Sequence, residues 1–246
     1  MQEQLLEVYE KFKNKADFYG GLSDRLSAPL LLHVPDRWKS SNRRVLIVGQ
    51  ETMGWDFRSG KYYDWPFSTI TNWSEFKRVP DSVPAMVHGY KCFEFARREP
   101  NYSSPFWQAY RQFREALGEP RDGIDTSVLW TNLFRMSLDG GSVMDDGQET
   151  TQGIGEASRE ILIEEMRIIQ PTAVVFFTGP KYEESLCSTF RGIEFSPFNG
   201  FDQDRTARAV HSELPAQAWR TYHPQYLSYS KQWDVIEEII NELRGF

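Results

Sequence analysis

Cysteine is nearly missing from this chain: Cys92 and Cys187 are the only two, far apart in 246 residues. A pair so placed excludes a disulfide framework and a thiolate metal site. Long apolar runs are missing too. None approaches the length that crosses a bilayer, and the N-terminus opens polar and charged, unlike a signal peptide. The expectation is a cytoplasmic, monomeric protein that needs no metal, no cofactor and no membrane. Basic charge is in deficit, with 28 Lys and Arg against 35 Asp and Glu and a formal net charge of −7. That speaks against indiscriminate binding to DNA phosphates. The deficit is uneven, however. "DRWKSSNRR" (36–44), "FKR" (76–78), "KCFEFARR" (91–98) and "RTARAVH" (205–211) would each line a basic face, or scatter as solvated side chains. No internal repeat or low-complexity tract occurs, and no G-x-G-x-x-G follows the first strand, which disfavours a Rossmann-type cofactor enzyme.

What is present suffices for one core, since 40% of the residues are hydrophobic and 15% aromatic. We expect a single domain over 1–246, with residues 1–42 as an N-terminal helical extension. Residues 2–18 read as a helix with Leu5, Leu6, Tyr9 and Phe12 on one side. "VLIV" (45–48) and "TAVVFFTG" (172–179) read as strands covered on both faces, with "VLWTN" (128–132) and "AWRTY" (218–222) as two more. Between them lie "SPFWQAYRQFREALG", bracketed by an N-terminal Ser-Pro and a closing glycine, and a helix over 155–169 stopped by Pro171. Another helix starts near Lys181, and "KQWDVIEEIINEL" closes the chain with Trp233, Ile236, Ile240 and Leu243 on one face. Strands alternating with helices predict a three-layer α/β/α sandwich around a central, mainly parallel four-stranded sheet. Residues 56–104, rich in aromatics, Pro, Ser and Gly, read as irregular and functional rather than as core.

Three strand ends carry polar residues. Gly49 lets the chain turn after the first strand, so that Gln50 and Glu51 emerge where open α/β sheets bind ligands. Asn132 ends the second strand, and "YHPQYLS" follows the fourth. Singly these are a solvated carboxylate, a turn-capping amide, a satisfied histidine before a proline bend and a core leucine. Together, at the ends of successive parallel strands, they point to a pocket.

In these residues the chain resembles the uracil-DNA glycosylase superfamily. Gly49-Gln50-Glu51 is similar to the start of its first motif, G-Q-D-P-Y, with Glu for Asp. His223-Pro224-Gln225-Tyr226-Leu227-Ser228 resembles H-P-S-P-L-S at four of six positions. Asn132 falls where the family's base-reading asparagine does, and "PTAVVFFTGPKYEESL" resembles its third strand, glycine turn and helix. The resemblance covers roughly residues 43–230. It implies a DNA glycosylase that flips a nucleotide out of single- or double-stranded DNA and breaks its N-glycosidic bond. Glu51 would then stabilise the sugar cation and position the attacking water, as carboxylates do in glycoside hydrolysis. His223 would donate to the leaving base. Gln50 and Asn132 would contact the base. Leu227 would wedge into the vacated stack together with Tyr226, and Ser228 would take a flanking phosphate. For the aromatic that stacks on the base, Phe67 in a Phe-Ser pair, Trp55 and Phe57 are all candidates.

The departures bear on the substrate. In the uracil-specific pattern a tyrosine soon after the carboxylate walls off C5 of the base. Here Thr52-Met53-Gly54 stands instead. An open C5 side implies a larger base such as hydroxymethylated or glucosylated cytosine of phage DNA, hence antiviral defence. The asparagine does not choose between uracil and cytosine, because its amide both donates and accepts. Without a lysine placed as nucleophile, hydrolysis should stop at the abasic site. Two cysteines set aside the iron–sulfur subfamilies, whose clusters need four. Plain uracil repair and a non-catalytic nucleic-acid-binding module are the rival expectations.

Overall fold

The computed structural model describes residues 1–18, 21–52, 55, 70–93, 103–122 and 125–245. They form a mixed α/β fold whose central sheet, flanked by helices, is six-stranded in the order β2-β1-β3-β6-β5-β4. The strands are β1 (Val45–Gly49), β2 (Val128–Asn132), β3 (Ala173–Phe176), β4 (Glu194–Pro197), β5 (Thr206–Val210) and β6 (Gln217–Thr221). β1 pairs with β3 and β3 with β6 in parallel, with Val45 opposite Ala173 and Ala173 opposite Gln217. β5 and β4 continue the sheet antiparallel. The four expected strands are present, and two more extend the sheet. β4 escapes a sequence reading because Glu194, Ser196 and Pro197 are exposed, so no apolar run marks it. "RTARAVH", a candidate basic face, is largely β5, where Arg208 ion-pairs with Glu242 at 2.6 Å.

The chain divides into two compact units. One comprises Met1–Val34, Glu51–Arg97 and Asn132–Ile169, and holds α1 (Gln2–Lys15), α2 (Leu22–Arg25), α4 (Trp73–Arg78), α5 (Ser82–Lys91) and α7 (Gln148–Ile169). Within it α1 packs on α5 and α7, burying Leu5, Tyr9 and Phe12, and the Phe12 ring stands edge-on to Trp73. Residues 70–93 therefore correct the expectation of an irregular segment. Asn72 caps α4 by accepting the Glu75 N–H, and Trp73, Phe76, Val83, Met86 and Tyr90 are core. The aromatics there serve packing, which composition alone does not distinguish from binding. α7 also starts a full two turns before the predicted 155, because its polar first turns carry no apolar signal.

A fully buried ionic cluster ties this unit together. Arg135 ion-pairs with Glu165 of α7, Tyr9 donates its hydroxyl to the same carboxylate at 2.5 Å, and the Leu32 N–H donates to Tyr9 at 3.0 Å. Burial pushes the Glu165 carboxyl up, and the Arg135 guanidinium pulls it back. The cluster holds the segment that follows Asn132, and the Arg135 N–H is anchored on the Ser158 hydroxyl at 3.0 Å.

The other unit comprises Pro35–Gln50, Arg98–Thr131 and Gln170–Phe246. It carries the sheet with α3 (Asp36–Ser40), α6 (Pro105–Ala116), α8 (Glu183–Thr189), α9 (Pro224–Tyr229) and α10 (Asp234–Gly245). Val45 to Val48 and Ala173 to Phe176 are completely enclosed, as their unbroken apolar runs require. α6 packs on α9 and α10, and Trp233 donates from its indole to Gln112 at 3.0 Å.

Candidate active site

Three parallel strands of the sheet-bearing unit end side by side, and the residues beyond them are tied together. After β1, the Gln50 side chain donates from Nε2 to the Thr178 carbonyl at 2.8 Å. After β3, the Phe177 N–H donates to the Val48 carbonyl at 2.8 Å and the Gly179 N–H to the Thr221 carbonyl at 3.0 Å. Gly49 closes β1 as a strand residue, and the glycine this edge depends on is Gly179. Its φ is +64°, and a Cβ there would lie 3.4 Å from the Tyr222 ring. A residue without a side chain lets the β3 turn approach the chain leaving β6.

That approach fixes His223. Its Nδ1 accepts the Gln225 N–H at 3.3 Å, capping α9, and Pro224 opens the helix where a missing N–H costs nothing. The imidazole stacks on Phe106, 5.8 Å between centroids and 14° between planes. Phe106 in turn stands edge-on to Trp130 and Phe177. Loss of hydration against these rings lowers the His223 pKa to about 4, so the ring is neutral near pH 7. With Nδ1 accepting, the one ring proton sits on Nε2. His223 thus offers a neutral, oriented N–H donor. Sequence reasoning missed Phe106, which it counted only as part of the helix after Ser-Pro. Nothing local marks that residue as the floor under a histidine 117 positions away.

In the other unit, Glu51 is half-buried, and its Oε2 accepts the Val143 N–H at 2.7 Å. Val143 opens a short 3-10 turn whose start is fixed by Ser142, which accepts the Met144 N–H at 3.1 Å. Thr151 donates its hydroxyl to the Val143 carbonyl at 2.8 Å. The carboxylate is held, not loose. Asn132, the last residue of β2, is only 5% exposed, and no described residue hydrogen-bonds to its side chain. Buried amides are almost always paired, and the Asn132 amide has one acceptor and two N–H donors to offer a partner.

The remaining sequence candidates separate. Met53, Phe57 and Phe67 lie outside the described residues. Trp55 is buried and packs edge-on against Phe93 at 5.3 Å, so its ring is engaged in the core. Leu227 lies in the core. Expected to project as a wedge, it is 0% exposed, because withdrawing a leucine from water stabilises the fold by about 1.5–3 kcal/mol. Tyr226, beside it, is exposed and stacked on Tyr222 at 4.5 Å, and Ser228 is exposed. Among the described residues no group of three or more His, Cys, Asp or Glu side chains is placed to hold a metal ion.

Residues 36–244 match the family model described as Uracil DNA glycosylase superfamily. The match extends beyond the 43–230 covered by the motifs at both ends. No curated protein matches the chain significantly.

Proposed function

From the premise that the chain belongs to the uracil-DNA glycosylase superfamily, whose members are DNA glycosylases, we propose that it hydrolyses the N-glycosidic bond of a flipped, C5-modified pyrimidine in DNA and leaves an abasic site. The buried Asn132 amide, to which no described residue hydrogen-bonds, carries this reading. A base edge presenting a donor beside an acceptor satisfies it, as a pyrimidine does. Glu51, its carboxylate oriented by the Val143 N–H, stabilises the sugar cation and directs the water. His223 presents Nε2–H to the carbonyl of the departing base, whose negative charge it offsets without itself being charged. A neutral donor suits a leaving group that departs as an anion near neutral pH, and proton transfer is not required of it.

The choice of a C5-modified base rests on Thr52-Met53-Gly54, where no tyrosine follows the carboxylate. Hydroxymethylated or glucosylated cytosine has the bulk such an opening accommodates, and a role against phage DNA follows from that substrate. The test is incubation of the protein with DNAs carrying uracil, thymine mismatches, 5-hydroxymethylcytosine or glucosylated cytosine, scored for alkali-labile abasic sites. Cleavage confined to the C5-substituted bases is expected, and Glu51→Gln should abolish most of it while keeping DNA binding. Excision of uracil alone would replace the substrate assignment with uracil repair. Turnover by Glu51→Gln close to wild type would remove the mechanism.

A further inference from the structure

On α7, Thr151, Gly155, Ser158, Leu162 and Glu165 follow one another at alternating steps of four and three, which keeps them on one face of the helix. Along that face the chain running from Asn132 to Val143 is fastened at successive levels. Thr151 donates its hydroxyl to the Val143 carbonyl at 2.8 Å. A Cβ at Gly155 would lie 3.4 Å from Cε1 of Phe134, so the bare helix backbone there comes close to that ring. Ser158 accepts the Arg135 N–H at 3.0 Å, and Glu165 ion-pairs with the Arg135 side chain. We propose that this face of α7 is a template that sets the spacing between the Asn132 amide and the Glu51 carboxylate, and that Thr151 is a positioning residue for that carboxylate. The proposal rests on the glycosylase reading of Glu51, and it adds a residue that acts through Glu51 rather than on DNA.

The route from Thr151 to Glu51 is one residue long. The Val143 N–H donates to Glu51 Oε2 at 2.7 Å, and the carbonyl of that same residue is the one Thr151 holds. With its side chain buried and its carbonyl pinned, Val143 aims its N–H in one direction. Ser142 fixes the other side of the turn by accepting the Met144 N–H at 3.1 Å. The destination of the Thr151 hydroxyl argues for a role outside its own helix. A threonine inside a helix ordinarily bonds the carbonyl three or four residues back. Thr151 instead reaches a carbonyl eight residues back, while its N–H makes the usual bond to Gly147 at 3.1 Å. The hydroxyl thus serves the 3-10 turn, not α7. A carboxylate that stabilises a cation must sit at a fixed distance from where the charge develops. A displacement of about 1 Å can cost about 100-fold in rate. Loss of this one hydroxyl is therefore read more strongly in catalysis than in folding.

Thr151→Val keeps the shape of the side chain and removes the hydroxyl, whereas Thr151→Ser keeps the hydroxyl. On the DNA that wild type excises, Thr151→Val should slow single-turnover excision about 10- to 100-fold, and Thr151→Ser should restore most of the rate. Affinity for a duplex with one tetrahydrofuran abasic site should not change, and the melting temperature should stay close to wild type. In a Glu51→Gln background Thr151→Val should slow the residual turnover no further, because nothing is left to orient. An equal fold loss in both backgrounds, a wild-type rate in Thr151→Val, or no rescue by Thr151→Ser would overturn the proposal. The Val143 amide gives a readout that needs no substrate. Its hydrogen exchange, followed by NMR, should be slow in wild type and about 3- to 10-fold faster in both Glu51→Ala and Thr151→Val. Exchange unchanged by Thr151→Val would overturn the template even in a protein that excises modified bases. A wild type that excises none of the bases tested, yet shows both changes in exchange, would remove the proposed chemistry and leave the template standing.

Discussion

Acidification should reveal how far His223 has been taken out of water. An ordinary histidine in an unfolded chain picks up its proton near pH 6.5, whereas His223, lying flat against Phe106, is held down to about 4 by lost hydration. Between those two values the unfolded state binds a proton that the native state refuses. Stability rises with pH wherever the unfolded state binds more protons. The contribution of His223 is therefore fully present above about pH 6.5, declines as the pH falls through the window, and is gone below about 4. Across the window it amounts to roughly 3 kcal/mol, a sizeable part of the stability of a domain. Urea unfolding of wild type and of His223→Asn, whose side chain keeps an N-cap acceptor, should converge as the pH falls. Proton NMR of the four histidines should show one resonance, absent from the variant, that does not shift between neutrality and about pH 5. Excision should be flat over the same range as far as this residue governs it. A His223 midpoint near 6.5, or equal pH dependence in the two proteins, would refute the picture of a desolvated, neutral donor.

Three further outcomes follow from the same structure. Glu165→Gln leaves Arg135 buried without its counter-charge and should cost about 3–5 kcal/mol in urea unfolding, and a loss below about 1 kcal/mol would show that the cluster is not a closed ionic unit. Gly179→Ala introduces a Cβ at φ +64° and ψ 179°, a region nearly reserved for glycine, and should lower stability by about 1–3 kcal/mol while disturbing the Tyr222–His223 turn. An unchanged melting temperature would count against that close approach. Met53→Tyr should act as a filter, cutting excision of C5-substituted cytosines steeply and sparing any activity on uracil. Equal loss on small and large bases in a folded variant would sink the open-pocket assignment.

Several elements were legible in the residues alone. β1 and β3 are unbroken apolar runs because both faces of a central parallel strand are covered, and α10 shows a helical stripe because one face meets the sheet-bearing unit and the other meets water. The polar residues at or just beyond the ends of β1, β2 and β6, Gln50, Glu51, Asn132 and His223, stood out by their place at strand ends. Tertiary structure decided what local pattern cannot carry. β4 and β5 exist because each finds a partner across the sheet, not because their residues alternate cleanly. The aromatics of 70–93 became core only once α1 lay against them. Leu227 lies in the core and Tyr229, two positions on along one short helix, in solvent, since which side of α9 meets the core is set by the packing beneath it. The neutrality of His223 and the burial of the Asn132 amide are likewise products of assembly. Hydration is lost only when distant parts of the chain close around a side chain.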